Sequence, residues 1–144
     1  MAEAIFRDLA SQHFKCAPDK LWDENLDVLS AGVAAGDSHP ASSNAVSVLK
    51  TRGIDLSQHL SQQLSEKMLE ASDLILTMTN DHLSVVQNAR PDLAQNMRLL
   101  SENGSNIIDP IGGSLEDYSQ CADMITTCLE SLLDQIIKKD AEAT

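Results

Sequence analysis

The chain has 144 residues, with 22 Asp and Glu against 10 Lys and Arg, for a net charge of −12. That length suits one domain, residues 1–144, able to bury a single core without disulfides or metal. The charge repels nucleic acid and anionic lipid, and no run approaches the roughly 18 uninterrupted apolar residues of a membrane span.

The opening Met1–Asp8 has neither the basic start nor the apolar centre of a secretory signal, so a soluble, cytoplasmic protein is expected. Ile5, Leu9, Ala10 and Phe14 recur at helical spacing, which predicts that the chain begins inside a helix reaching about Phe14. Asp27-Val28-Leu29-Ser30 then reads as a short strand ending at Ala31-Gly32. Pro40 followed by Ala45, Val46 and Leu49 reads as a second helix, closed by Gly53.

Ser65 can cap a short helix through Ala71. Asp73-Leu74-Ile75-Leu76-Thr77-Met78 suits a strand buried on both faces. A helix from Asn80 to Ala89, a break at Pro91 and a strand at Met97–Leu100 follow. After Gly112-Gly113 a long helix from about Ser114 to Lys138 carries Leu115, Tyr118, Ala122, Ile125, Leu129, Leu132 and Ile136 on one stripe. Residues 140–144 read as a frayed tail. Strands alternating with helices predict an α/β fold, a small three-layer domain with a parallel sheet flanked by helices.

Few residues stand out chemically. Asp109 follows two isoleucines and precedes Pro110, which places its carboxyl at the border of an apolar element. A carboxyl held against apolar walls keeps its proton more readily and can act as a general acid. The plainer alternative is that Asp109–Gly113 only sets up the last helix. His59 is one of four histidines, and Ser30 stands at a strand end, where polar groups of α/β sheets collect. Cys16, Cys121 and Cys128 match no zinc or redox spacing, and Cys121 and Cys128 share a helix face as structural thiols do. No metal and no cofactor are expected.

Taken together, these segments resemble the low-molecular-weight protein tyrosine phosphatases. The resemblance rests on Met1-Ala2-Glu3-Ala4-Ile5-Phe6, Leu29-Ser30-Ala31-Gly32, Pro40-Ala41-Ser42, Gly53–His59, Ala71–Met78, Asp109-Pro110-Ile111-Gly112-Gly113-Ser114 and the Tyr118 helix. It implies that Asp109 is the acid that protonates the leaving group and that Ser30 and His59 support a phosphate-binding loop from behind. Ile111 would wall the substrate. The implied partner is a phosphorylated protein, carrying phosphotyrosine or phosphoarginine. Ile111 stands where many relatives have an aromatic residue and Gln62 where an arginine often follows the histidine. Both departures weaken the case for phosphotyrosine, and Gly112-Gly113-Ser114 looks more like bacterial members, some of which act on phosphoarginine.

The resemblance also implies an inner strand leading into a Cys-x5-Arg-Ser-Pro loop just ahead of the first helix. Here that helix opens at Met1, and the arginine position after each cysteine is Trp22, Thr127 or Asp134. A family nucleophile attacks phosphorus as a thiolate while amides and the guanidinium hold the phosphoryl oxygens. Without them this chain is expected to be inactive as written. About five apolar side chains of the absent strand represent on the order of 10 kcal/mol, against about 5–15 kcal/mol for a whole domain. Met1 is therefore expected to be an internal methionine of a longer phosphatase. The alternatives are an inactive phosphoprotein-binding or interaction module and, ranked lower because Thr77–Asn96 contains no cysteine, an arsenate reductase.

Overall fold

The structure is a computed structural model describing residues 1–143. In chain order it contains α1 (Ala2–Phe14), α2 (Ser43–Thr51), α3 (Glu66–Ala71), β1 (Ile75–Thr77), α4 (Asn80–Ala89), β2 (Met97–Leu99) and α5 (Leu115–Ala143), with 3₁₀ segments at Pro18–Glu24 and Pro91–Asn96. The fold is α/β. Strands β1 and β2 run parallel, with Ile75 opposite Met97 and Thr77 opposite Leu99.

Local chemistry explains the helix ends. Ser42, Ser65 and Thr79 each accept a first-turn amide, from Ala45, Met68 and His82. Gly53 takes φ 79° just beyond α2, a conformation that costs glycine nothing. Ser114 and Asp117 form a reciprocal box at the start of α5: Asp117 Oδ2 accepts from the Ser114 amide at 2.7 Å, and Ser114 Oγ accepts from the Asp117 amide at 3.2 Å.

The pleat of the sheet divides the interior. Leu76 and Met78 pack against the main core, where Ile5, Phe6 and Ala10 of α1 and Ala45, Val48 and Leu49 of α2 meet Tyr118, Ala122, Ile125 and Leu129 of α5. Ile75 packs on the opposite side, with Leu69, Val86 and Met97 beneath α3 and α4. Helices therefore cover both faces.

Several expectations are corrected. Asp27–Ser30 has no regular secondary structure, because no described segment supplies a ladder to it. Side chains serve its carbonyls instead, Arg7 at Val28 and Gln62 at Ser30. The segment around β1 is not buried on both faces: Leu74 is 39% exposed and Ile75 and Leu76 are half-buried, since β1 is paired along one edge only. Leu115 lies exposed, in the first turn of α5 and off its buried stripe. Helix α5 passes Lys138 and remains helical through Ala143, over the residues expected to fray, while Thr144 lies outside the described residues. No described helix is long and apolar enough to cross a membrane.

Candidate active site

The amino end of α1 organises the surroundings of Ser30. Glu3, in the first turn, accepts a 2.6 Å hydrogen bond from Ser30 Oγ through Oε2 and a 3.2 Å bond from Arg7 Nε through Oε1. Arg7 also donates to the carbonyls of Val28 and Pro18, so α1 is tied to the Val28–Ser30 segment from both ends of one ion pair. Gln62 Nε2 donates to Ser30 O at 2.8 Å. Ser30, His59 and Gln62 together line a cleft of about 220 Å³. A larger cavity of about 450 Å³, lined by Met97, Arg98, Glu102 and Gln135, holds none of the residues singled out from sequence.

Asp109 lies in the loop ahead of α5. Its Oδ1 accepts the Ile111 amide at 3.0 Å, closing a turn across Pro110. The loop is anchored where the Ile107 amide donates to Met78 O at 2.8 Å, where Cys121 Sγ donates to Ile108 O at 3.7 Å, and where Asn44 Nδ2 donates to Gly113 O at 3.1 Å. Between these anchors Asp109 is exposed. Its isoleucine neighbours point outward, with Ile111 78% and Ile108 68% exposed. They border the acid without burying it.

Electrostatics bring the two halves together. Burial pushes the α-amino group of Met1 down from its ordinary value, opposed by Glu3, Cys121 and Asp109. Burial pushes the Cys121 thiol up, Asp109 adds to this, and the Met1 nitrogen opposes it. The start of α1 thus lies near Asp109 and, through Glu3, holds Ser30. Met1 supplies no side-chain cap, and Ile5 is the first residue of the helix whose amide reaches a backbone carbonyl, that of Met1. The amides ahead of it and the helix dipole give this point a local positive potential in a chain of net charge −12.

A nucleophile of the phosphate-loop kind needs a lowered thiol pKa and a guanidinium beside it. Cys121, the thiol near Asp109, is shifted the other way. Cys16 lies past the far end of α1, and Cys128 packs against the core two turns along α5. The arginines are engaged elsewhere: Arg52 with Asp123 at 2.8 Å, Arg90 with Glu70 and Asp92 at 2.7 and 2.6 Å, Arg98 with Leu99 O and Gln135, and Arg7 as described. Among the described residues no three His, Cys, Asp or Glu side chains converge to hold a metal ion.

Structure therefore joins Ser30 with His59 in one cleft and ties Asp109 to Ile111 in the turn ahead of α5. Sequence reasoning missed Glu3, Arg7 and Asn44. The i,i+4 spacing of Glu3 and Arg7 marks a helix-surface pair, but nothing in it points to Ser30.

Residues 1–143 match the family described as low molecular weight phosphotyrosine protein phosphatase. The chain is 33% identical to a protein-arginine-phosphatase of Bacillus subtilis over 144 residues, covering 97% of this chain and 89% of the relative. A low molecular weight protein tyrosine phosphatase from T. tengcongensis has the same fold at TM-score 0.81, with 31% identity over 93% of this chain and 88% of the other. An arsenate reductase 2 of Staphylococcus haemolyticus is 29% identical over 112 residues, 78% of each chain.

Proposed function

We propose, since this chain belongs to the low-molecular-weight phosphotyrosine protein phosphatase family, that its 144 residues form one domain bearing the proton-donor half of a phosphomonoesterase site. In this reading Asp109 protonates the leaving group, Ser30 and His59 support a phosphate-capturing loop from behind, and Ile111 walls the substrate. The chain itself turns over nothing, because displacement at phosphorus requires a thiolate cradled by amides and a guanidinium. No cysteine here is followed by an arginine at that spacing. The observation supporting the reading is that Glu3, in the first turn of α1, holds the Ser30 hydroxyl, while Asp109 is near enough to the start of the same helix to act on its charge. An oxyanion at that helix start would meet helix amides with an acid nearby.

The substrate class we favour is a phosphoarginine-bearing protein in the cytoplasm. Ile111 and Ile108 offer aliphatic surface suited to the stem of an arginine rather than a ring to stack on tyrosine, and the Bacillus subtilis relative is named for arginine. The arsenate reductase reading is weaker, since electron relay needs further thiols and Thr77–Asn96 contains none.

The test compares the 144-residue chain with one carrying an apolar strand and a Cys-x5-Arg-Ser-Pro loop fused ahead of Met1, on an aryl phosphate and on a phosphoarginine peptide. The first should be inert and the second active. Asp109→Asn in the active form should lower kcat by about 10²–10⁴. Turnover by the 144-residue chain would show that one of its own thiols is the nucleophile and end the proposal.

A further inference from the structure

The cavity of about 450 Å³ lies at the outer edge of β2, on the side away from β1. Because the Leu100 amide donates to Thr77 O, the peptide groups of Leu99 turn outward, where Arg98 Nη1 reaches Leu99 O at 3.3 Å. Alternation along β2 puts Met97 and Leu99 on one face, with Leu83 of α4, and Arg98 on the other, with Gln135 of α5. The cavity therefore has an apolar wall and a charged one. Its volume falls within the range of small-molecule sites, about 300–1,000 Å³.

The charged wall differs from the rest of the surface in its pairing. Arg7, Arg52 and Arg90 each meet a carboxylate, at Glu3, Asp123 and Glu70. Arg98 meets none among the described residues, although Glu102 lines the same cavity. One amide stands between the two charges: Gln135 Oε1 accepts from Arg98 Nη2 at 3.3 Å, and Gln135 Nε2 donates to Glu102 Oε1. Ser131 Oγ donates to the same carboxylate oxygen at 3.0 Å. The guanidinium thus uses two of its five N–H groups on neutral acceptors, both at long range, and keeps the others for a ligand. Glu102 repels a bare oxyanion and Arg98 a bare amine. A group that carries an anion and a cation one amide-width apart satisfies both. The head of an α-amino acid is such a group, and an aliphatic side chain on it would cover Leu83, Met97 and Leu99.

We propose that this cavity binds a free α-amino acid with an aliphatic side chain, its carboxylate on Arg98 and its ammonium on Glu102. The site is independent of the phosphatase reading, because binding is measured without turnover and none of the residues assigned to phosphate chemistry lines the cavity.

The probe is L-leucine, titrated into the 144-residue chain and followed by amide NMR shifts and calorimetry. Saturable shifts are expected at the Arg98, Leu99 and Glu102 amides and at the Gln135 side chain. Isocaproate, which lacks the ammonium, and isoamylamine, which lacks the carboxylate, should each bind at least about tenfold more weakly. Arg98→Met and Glu102→Gln should each lower leucine affinity by about the same factor. Glu102 is exposed, so Glu102→Gln keeps the test intact if Arg98→Met fails to fold. No saturable binding, equal binding of the three ligands, or undiminished leucine affinity in Glu102→Gln overturns the proposal.

Discussion

Replacing Glu3 with alanine should loosen the amino end of α1 by a calculable amount. The Glu3 side chain is 17% exposed and that of Arg7 is 27% exposed, so both are only partly solvated. The substitution removes a 2.6 Å bond from Ser30 Oγ and a 3.2 Å ion pair with Arg7. A hydrogen bond to a charged group contributes about 1.5–3 kcal/mol, and a partly solvated ion pair about 0–1 kcal/mol. Arg7 is not stranded, because it keeps the Val28 and Pro18 carbonyls and lies 3.9 Å from Asp27. The expected loss is therefore about 2 kcal/mol, at the lower end of the combined range. At about 2–4 °C per kcal/mol for a domain of this size, Tm should fall by about 4–8 °C. Thermal and urea unfolding of Glu3→Ala, Ser30→Ala and the double variant would measure it, with a coupling of about 1 kcal/mol expected between the sites. A Glu3→Ala protein within about 0.5 kcal/mol of the parent, or strictly additive single variants, would refute the idea that Glu3 ties Ser30 to α1.

Two further outcomes follow from the titrating groups. Burial and Asp109 raise the Cys121 thiol above its ordinary value of 9.0. Iodoacetamide at pH 8 should accordingly label Cys121 at least about tenfold more slowly than Cys16 or Cys128, read by peptide mass mapping. Because the unfolded thiol ionises first as pH rises, the stability linked to Cys121 is whole below that ordinary value and fades as pH climbs toward the folded one. Asp117 behaves with the opposite sign. Its hydrogen bonds from Ser114 hold the carboxyl below the ordinary 3.8, so the unfolded chain takes up the proton first as pH falls. The start of α5 should weaken on acidification below that value, and Asp117→Asn should remove that dependence from unfolding curves.

Elements that close their hydrogen bonds locally were readable from residue order. Helix α4 occupies Asn80–Ala89 as expected, because Thr79 caps it and Pro91 stops it within the same short stretch. Ser65 and Gly53 delimit α3 and α2 in the same way. The 3₁₀ segment at Pro18–Glu24 went unread, although Pro18 at its first position is a recognisable start. The misread segment, Asp27–Ser30, has the composition of a strand. Composition does not provide the neighbour that a strand requires, and Arg7, twenty-one residues earlier than Val28, takes one of its carbonyls instead.

The site divides along the same line. Asp109, Ser30, His59 and Ile111 were named from residue identity and resemblance, but neither indicated that Glu3 receives the Ser30 hydroxyl or that Asn44 holds Gly113 across sixty-nine positions. Sequence alone settled the helix stripes, their caps and the lack of an arginine at the required spacing after any cysteine. Tertiary structure decided which edge of the sheet is paired and that Glu3, at the start of α1, holds Ser30. The reason is the reach of the bonds involved: a helix satisfies its peptide groups within four residues, whereas a sheet ladder or a convergent site is closed by partners that only the folded chain brings near.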